Sequence, residues 1–229
     1  MPALANGLGL SRTRFRSGIP ALPAGATARW NVLASTGSDG DLLASVSDLI
    51  GSNTATAAGS ARPTLKTGAG GLNSKPVMRF NGVANSLTLG TNITGVNTYT
   101  IAVVMKRTGA DMCPLGSSNF LPALIRTSTF ISTGDASAYK EASNNGTGWE
   151  IIVAGRASND SFGMRNGAAL TFGSSNVFVT AATFSRLGSR FSVYSNGDFA
   201  DILYWPTALT AGERLAVCQN LNATWGGVY

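Results

Sequence analysis

A chain of 229 residues with 17 Lys and Arg against 11 Asp and Glu has a formal net charge of +6, only 12% charged residues, 28 glycines and no histidine. That balance excludes a helical bundle and a disordered polymer, and it favours short strands joined by polar turns in one all-β domain. The lack of histidine removes the usual zinc, copper and non-haem iron sites, and with them Ser-His-Asp and Cys-His catalysis.

Residues 1–25 form a segment of their own, with Gly7, Gly9, Gly18 and Gly25 interleaved with Pro2, Pro20 and Pro23. Its composition cannot bury enough surface to fold alone. Arg12, Arg14 and Arg16 alternate with Thr13 and Phe15, so an extended backbone sets all three guanidinium groups on one side. Together with Arg29 they precede the first acidic residue, Asp39, and supply four of the six net charges. The remainder, residues 26–229, is a nearly neutral domain. Two readings stand for the arm: a solvated tail, or a docking arm carried by Arg12, Arg14, Phe15 and Arg16. Three arginines without base-reading partners give only salt-sensitive, nonspecific affinity for DNA, so an acidic protein surface is the favoured contact and nucleic acid is not an expected partner.

Asp39, Asp41 and Asp48 come next. A hard cation wants several converging oxygens, which makes these three the candidate calcium ligands, against the plain reading as turn residues. Residues 41–50 hold a helical turn or a short strand. Asn81-Gly82, Asn166-Gly167 and Asn196-Gly197 each follow a strand-like run, and Asn-Gly is the strongest two-residue hairpin signal because both positions accept positive φ. Buried strands are expected at 99–106, 149–154 and 177–184, while residues 108–137 are left unassigned. The longest apolar run, 101–105, is too short to cross a bilayer, and no apolar segment follows the N-terminus; a soluble, unprocessed chain without membrane contact is expected.

Tyr139 and Trp149 flank a polar loop containing Asn145, which makes these three the candidate sugar-binding residues, an aromatic platform with a polar neighbour. Core packing is the competing reading of Trp149. Cys113 and Cys218 are expected to be two buried thiols rather than a bridge, although their pairing is left open. A retaining glycoside hydrolase needs two carboxyl groups about 5 Å apart across the sugar, usually on one strand face at spacing two or four. The chain has three glutamates, Glu141, Glu150 and Glu213; Glu150 stands alone in its strand, and Asp198 and Asp201 fall on opposite faces of a regular strand. No catalytic residue is assigned.

Residues 199–205 are apolar on both faces apart from Asp201, as in a strand covered on both sides. Pro206 ends that strand. Thr210 with Glu213 makes a capping box, followed at helical spacing by Leu215, Val217, Cys218, Leu221 and Trp225.

This ending, from Gly197 through Asp201 and Thr210-x-x-Glu213-Arg214 to Trp225-Gly226, resembles the C-terminal signature of concanavalin A-like (laminin-G-like) jelly-roll domains, with Asp201 in place of the usual Glu. Asn73-x-x-Pro76-x-Met78-x-Phe80-Asn81-Gly82, Arg62-Pro63 and the strand at 99–105 look like further pieces of that family, in its order, across residues 30–229. The resemblance implies a two-sheet antiparallel sandwich with one short C-terminal helix. It lacks the Glu-x-Asp-x-x-Glu of the glucanase branch. A short Gly/Arg arm on such a jelly roll is similar to bacteriophage virion components. The resemblance therefore implies a noncatalytic structural protein on the capsid surface, a decoration or head-fibre protein or, as a third choice, a tail component. Its partners would be the major capsid protein or sister subunits in a homo-oligomer. The alternative is a carbohydrate-binding adhesion module for host-surface glycans.

Overall fold

The computed structural model describes residues 18–109, 111–117, 124–134, 138–173, 177–178 and 180–229. Its backbone is an eight-stranded antiparallel sheet in the order Ala168–Ala169, Asp160–Arg165, Trp149–Ala157, Thr98–Arg107, Asn196–Trp205, Ser74–Asn81 and Thr64–Gly68, with Ala28–Asn31 also paired to Asn196–Trp205. A five-stranded sheet faces it, ordered Ser45–Val46, Ala55–Thr56, Leu87–Val96, Ala182–Leu187 and Leu115–Gly116. The helix Ala211–Thr224 covers the opposite face of the large sheet.

Alternation along the central strands makes this layering. In Thr98–Arg107, Ile101, Val103 and Met105 enter the core between the sheets, and Ala102 and Val104 pack under the helix. Asn196–Trp205 does the same with Phe199, Ile202 and Tyr204 on one side and Ala200, Leu203 and Trp205 on the other. Both faces are apolar because both are covered, as the run at 199–205 predicts. Phe184 from the smaller sheet meets Tyr99 and Tyr204 edge-on, with ring centroids 5.2 and 5.7 Å apart.

The capping box forms as predicted: Glu213 N–H donates to Thr210 Oγ1, and Thr210 N–H donates to Glu213 Oε2 at 2.7 Å. Val217, Cys218, Leu221 and Trp225 are buried, but Leu215 is 38% exposed and lies off the covered stripe. Among the described residues no helix is long and apolar enough to cross a membrane. Cys113 and Cys218 are separate, buried thiols, and burial pushes the Cys113 thiol up to about 12.

Of the three Asn-Gly pairs, one makes the two-residue hairpin. Arg165 pairs with Ala168, with Asn166 at φ 50° and Gly167 at φ 80° between them. After Asn81-Gly82 the chain crosses to the other sheet: the Asn81 side chain accepts from the N–H groups of Val83 and Ala84, and the next strand pairs elsewhere. Asn196-Gly197 opens the strand Asn196–Trp205, with Asn196 opposite Asn81. A Cβ on Gly167 meets only ordinary contacts, the nearest being Tyr229 Oη at 3.4 Å. Gly167→Ala is therefore expected to cost only the left-handed backbone penalty, about 1–2 kcal/mol, read as a shift in the denaturation midpoint at unchanged slope.

Candidate functional site

A third, three-stranded sheet lies within the segment left unassigned by sequence and just beyond it: Leu124–Arg126, Phe130–Gly134 and Tyr139–Ser143. Its register is set by which residues must be covered. Leu124 and Ile131 join the core between the large sheets, so they face inward together with Arg126, Thr133, Lys140 and Ala142. The other row, Ile125 opposite Ser132 opposite Glu141, then faces outward, and Tyr139 and Ser143 share that face by two-residue alternation.

That outward face carries a double cleft. One lobe, about 300 Å³, is lined by Asp111, Ile125, Thr127, Phe130, Ser132, Tyr139, Glu141 and Arg190. The second, about 400 Å³, shares Phe130, Tyr139 and Glu141 and runs on to Thr129, Lys140, Ser143 and Gly173. The floor is deep, with Ile125 and Ser132 almost fully covered, whereas Tyr139 is 43% exposed. Ser132 Oγ and Arg190 Nε are buried without a hydrogen-bond partner. Arg190 Nη2 stands 3.6 Å from Asp111 Oδ2, an ion pair too long for a hydrogen bond. A buried donor left unmatched by the protein costs stability unless water or a ligand meets it. The cleft thus combines aromatic faces, a carboxylate at Glu141, and two uncommitted polar atoms at Ser132 and Arg190. Such a surface can seat a ring with an apolar face and a rim of hydroxyl groups.

No protein-family model matches the sequence, and no curated protein matches it either. Solved structures do match in three dimensions. Domain 4 of AbnA, a GH43 extracellular arabinanase from Geobacillus stearothermophilus solved in complex with arabinotriose, aligns at TM-score 0.58 and 15% identity over 85% of this chain and 98% of that one. Trypanosoma rangeli sialidase aligns at TM-score 0.56 and 14% identity over 93% of this chain. The chain spans about a third of the sialidase, 35% of its length. The fold is an all-β antiparallel sandwich with one helix near its C-terminus, consistent with a jelly roll of the concanavalin A-like kind. At these identities the likeness speaks for the fold alone.

Of the residues singled out for sugar binding, Tyr139 lies at the centre of the cleft. Trp149 does not reach it: Trp149 packs with Ile151 and Val153 on the helix side of the large sheet, so the core reading applies. Asn145 is exposed in the loop after Ser143 and does not line either lobe. Glu141, Ser132 and Phe130 escaped the sequence reading, although Tyr139-x-Glu141-x-Ser143 alternates in the way that puts three side chains on one face.

The three aspartates go separate ways. Asp39 pairs with Lys66 Nζ at 2.5 Å and accepts from Thr67 N–H. Asp41 accepts from Ser38 N–H, and Asp48 accepts from the N–H groups of Arg29, Ile50, Gly51 and Asn53. Among the described residues no group of three potential metal-ligating side chains converges. Arg12, Arg14, Phe15 and Arg16 lie outside the described residues.

The strand acids are committed to arginines. Glu150 is buried and accepts from Arg126 Nε and Arg165 Nε, each at 2.6 Å, and from Asn144 Nδ2 at 3.2 Å. Asp198 takes Arg79 in a two-pronged pair at 2.7 and 2.8 Å. Asp201 accepts from Arg29, Asn31 and Trp225 Nε1. Contrary to the regular-strand expectation, Asp198 and Asp201 share the helix side of the sheet, because a register shift between Phe199 and Asp201 inserts Ala200 as a bulge. Their separate arginines keep them from acting as a pair.

Proposed function

We propose that this protein is a noncatalytic carbohydrate-binding module whose glycan lies across the outward face of the three-stranded sheet, stacked on Tyr139. The observation that carries this reading is the meeting, on one sheet face, of the half-exposed Tyr139 ring, the Glu141 carboxylate and the unpartnered Ser132 hydroxyl. A sugar presents C–H groups to the ring and hydroxyls to the carboxylate and to Ser132 and Arg190. The domain-length likeness to a sandwich solved with arabinotriose supports the choice of ligand class. The noncatalytic part rests on the carboxylates: of the two that line the cleft, Asp111 already faces Arg190, leaving Glu141 without a free partner for hydrolysis.

A glycan array followed by titration calorimetry, with arabinotriose as the first defined probe, tests this. Binding at micromolar to millimolar dissociation constants is expected, with Tyr139→Ala about tenfold weaker and its melting temperature little changed. No sugar bound at millimolar concentration would sink the reading, and release of reducing sugar from a bound polysaccharide would overturn its noncatalytic part.

Display on a phage particle, in contact with capsid protein or sister subunits, is the second reading. It rests on the alternating arginines of the arm. Its test is a deletion ending at residue 17, since Pro20 O accepts from Asn220 Nδ2 and Pro23 O from Trp205 Nε1, which tie the following residues to the body. The shortened protein is expected to fold, bind sugar and lose attachment to the particle; normal attachment removes the arm's role.

A further inference from the structure

The three-stranded sheet sets its outward side chains in ranks. Phe130 lies opposite Ser143, Ser132 opposite Glu141 and Gly134 opposite Tyr139. Directly opposed side chains of an antiparallel pair start about 4.5–5.5 Å apart, and diagonal neighbours stay within reach of aromatic rings. The Ser132–Glu141 rank is therefore flanked along the strands by Phe130 on one side and Tyr139 on the other. Gly134 puts no side chain beside Tyr139. The Ser132 hydroxyl, buried without a partner, lines the smaller lobe. Phe130, Tyr139 and Glu141 are common to both lobes, so this rank sits where the lobes meet.

The charged residues that line the lobes are Asp111, Lys140, Glu141 and Arg190. Asp111 and Arg190 compensate each other at 3.6 Å. Lys140 stands in the inward row opposite Thr133. Its ammonium is 3.9 Å from Asp160 Oδ1 and 5.6 Å from the centroid of the Phe178 ring, so its charge is drawn away from the cleft. Glu141 is the exception: among the described residues no lysine or arginine comes within ion-pair distance of it. The cleft thus carries one uncompensated negative charge, set between two aromatic rings. A carboxylate only accepts hydrogen bonds and an ammonium only donates them, while aromatic faces attract cations. Ser132 Oγ adds a further acceptor in the same rank. An acidic sugar would instead bring like charge against Glu141, with Arg190 already engaged by Asp111.

We propose that the cleft selects glycans carrying a free amino group, the ammonium of one hexosamine unit being held by Glu141 and Ser132 between the Phe130 and Tyr139 rings. This rests on the carbohydrate-binding reading above and names the class of sugar that the site prefers. Tyr139 supplies stacking that any sugar can use, and Glu141 supplies the discrimination. Neutral sugars bind through their hydroxyl groups, more weakly, and acidic ones weakest of all. The preference is Coulombic, so salt screens it.

Titration calorimetry with linear trimers of glucosamine, N-acetylglucosamine and galacturonic acid tests this, at about pH 6 so that the amines are charged. The N-acetyl trimer is the same sugar with its amine masked. At low salt the glucosamine trimer is expected to bind about tenfold tighter than the N-acetyl trimer, and the galacturonate trimer weakest; at about 0.5 M salt the preference is expected to shrink to about twofold. Glu141→Gln keeps the shape of the side chain and is expected to weaken both hexosamine trimers, the amine one more, until their ratio is about one. Glu141→Lys is expected to invert the order, so that the galacturonate trimer binds best. Melting curves check that both variants are folded. A parent that binds the two hexosamine trimers alike or prefers galacturonate overturns the inference, as does a Glu141→Gln variant that keeps the tenfold ratio. In those cases sugar is still bound and the carbohydrate reading stands. Should the parent bind no trimer and no glycan of the array, that reading itself has failed and this inference falls with it.

Discussion

Glu150→Gln is expected to destabilise the fold by about 3–5 kcal/mol, a drop of roughly 6–20 °C in melting temperature for a domain of this size. The substitution keeps the shape and removes the charge. Arg126, whose side chain is fully buried, then has no anion beside it, and one of its terminal nitrogens already lacks a partner. Arg165 is 29% exposed and can turn to water, so most of the damage comes from Arg126. Replacing both members of the inner pair, as in Arg126→Leu with Glu150→Leu, is expected to cost less than Glu150→Gln alone, because two like-sized apolar groups leave no orphaned charge. Guanidinium denaturation of Glu150→Gln, the double variant, and the single variants Arg126→Leu and Glu150→Leu decides this. A double variant as unstable as the sum of its singles would show that the pair does more than neutralise itself.

Asp201→Ala is expected to be comparably damaging, about 3 kcal/mol or more. This carboxylate receives Arg29 at 3.0 and 2.6 Å, Asn31 at 3.2 Å and the Trp225 indole at 3.1 Å. Its removal strands all three donors where the first strand, the last strand and the end of the helix come together. Protection from amide hydrogen exchange is expected to fall in Ala28–Asn31 and in the last turn of the helix, with less change in the three-stranded sheet. Uniform loss across the molecule would mean that these pieces do not form a separable unit.

How far the sequence could be read follows from how far apart the interacting residues lie. Thr210 and Glu213 reveal the helix start because the whole device spans four residues. Asn166-Gly167 is legible for the same reason. Asn81-Gly82 and Asn196-Gly197 mislead, since a turn signal says that the chain bends but not which sheet the next strand joins. The bulge at Ala200 has no local mark: it arises from pairing with Thr98–Arg107, nearly a hundred residues earlier, and it alone decides which way Asp198 points. The cleft was half legible. Tyr139, Glu141 and Ser143 alternate in plain view, but their neighbours Ile125 and Ser132 come from two further strands, and Asp111 and Arg190 lie 79 positions apart. The register that gathers them depends on which hydrophobic residues the large sheets can cover.

The order of strands in the large sheet bears on how the chain reaches its fold. Asn196–Trp205 stands between Thr98–Arg107 and Ser74–Asn81 and also receives Ala28–Asn31, yet it is made after every other strand of that sheet. As the chain leaves the ribosome, its earlier strands have no middle to assemble around. Val103, Met105 and Phe80 wait in the open until the final segment arrives to join the halves. Folding is therefore a late, long-range event, with the slow rates that non-local pairing imposes. Truncation after residue 195 leaves two incomplete half-sheets with sticky edges, and such a product should aggregate rather than persist as a smaller domain.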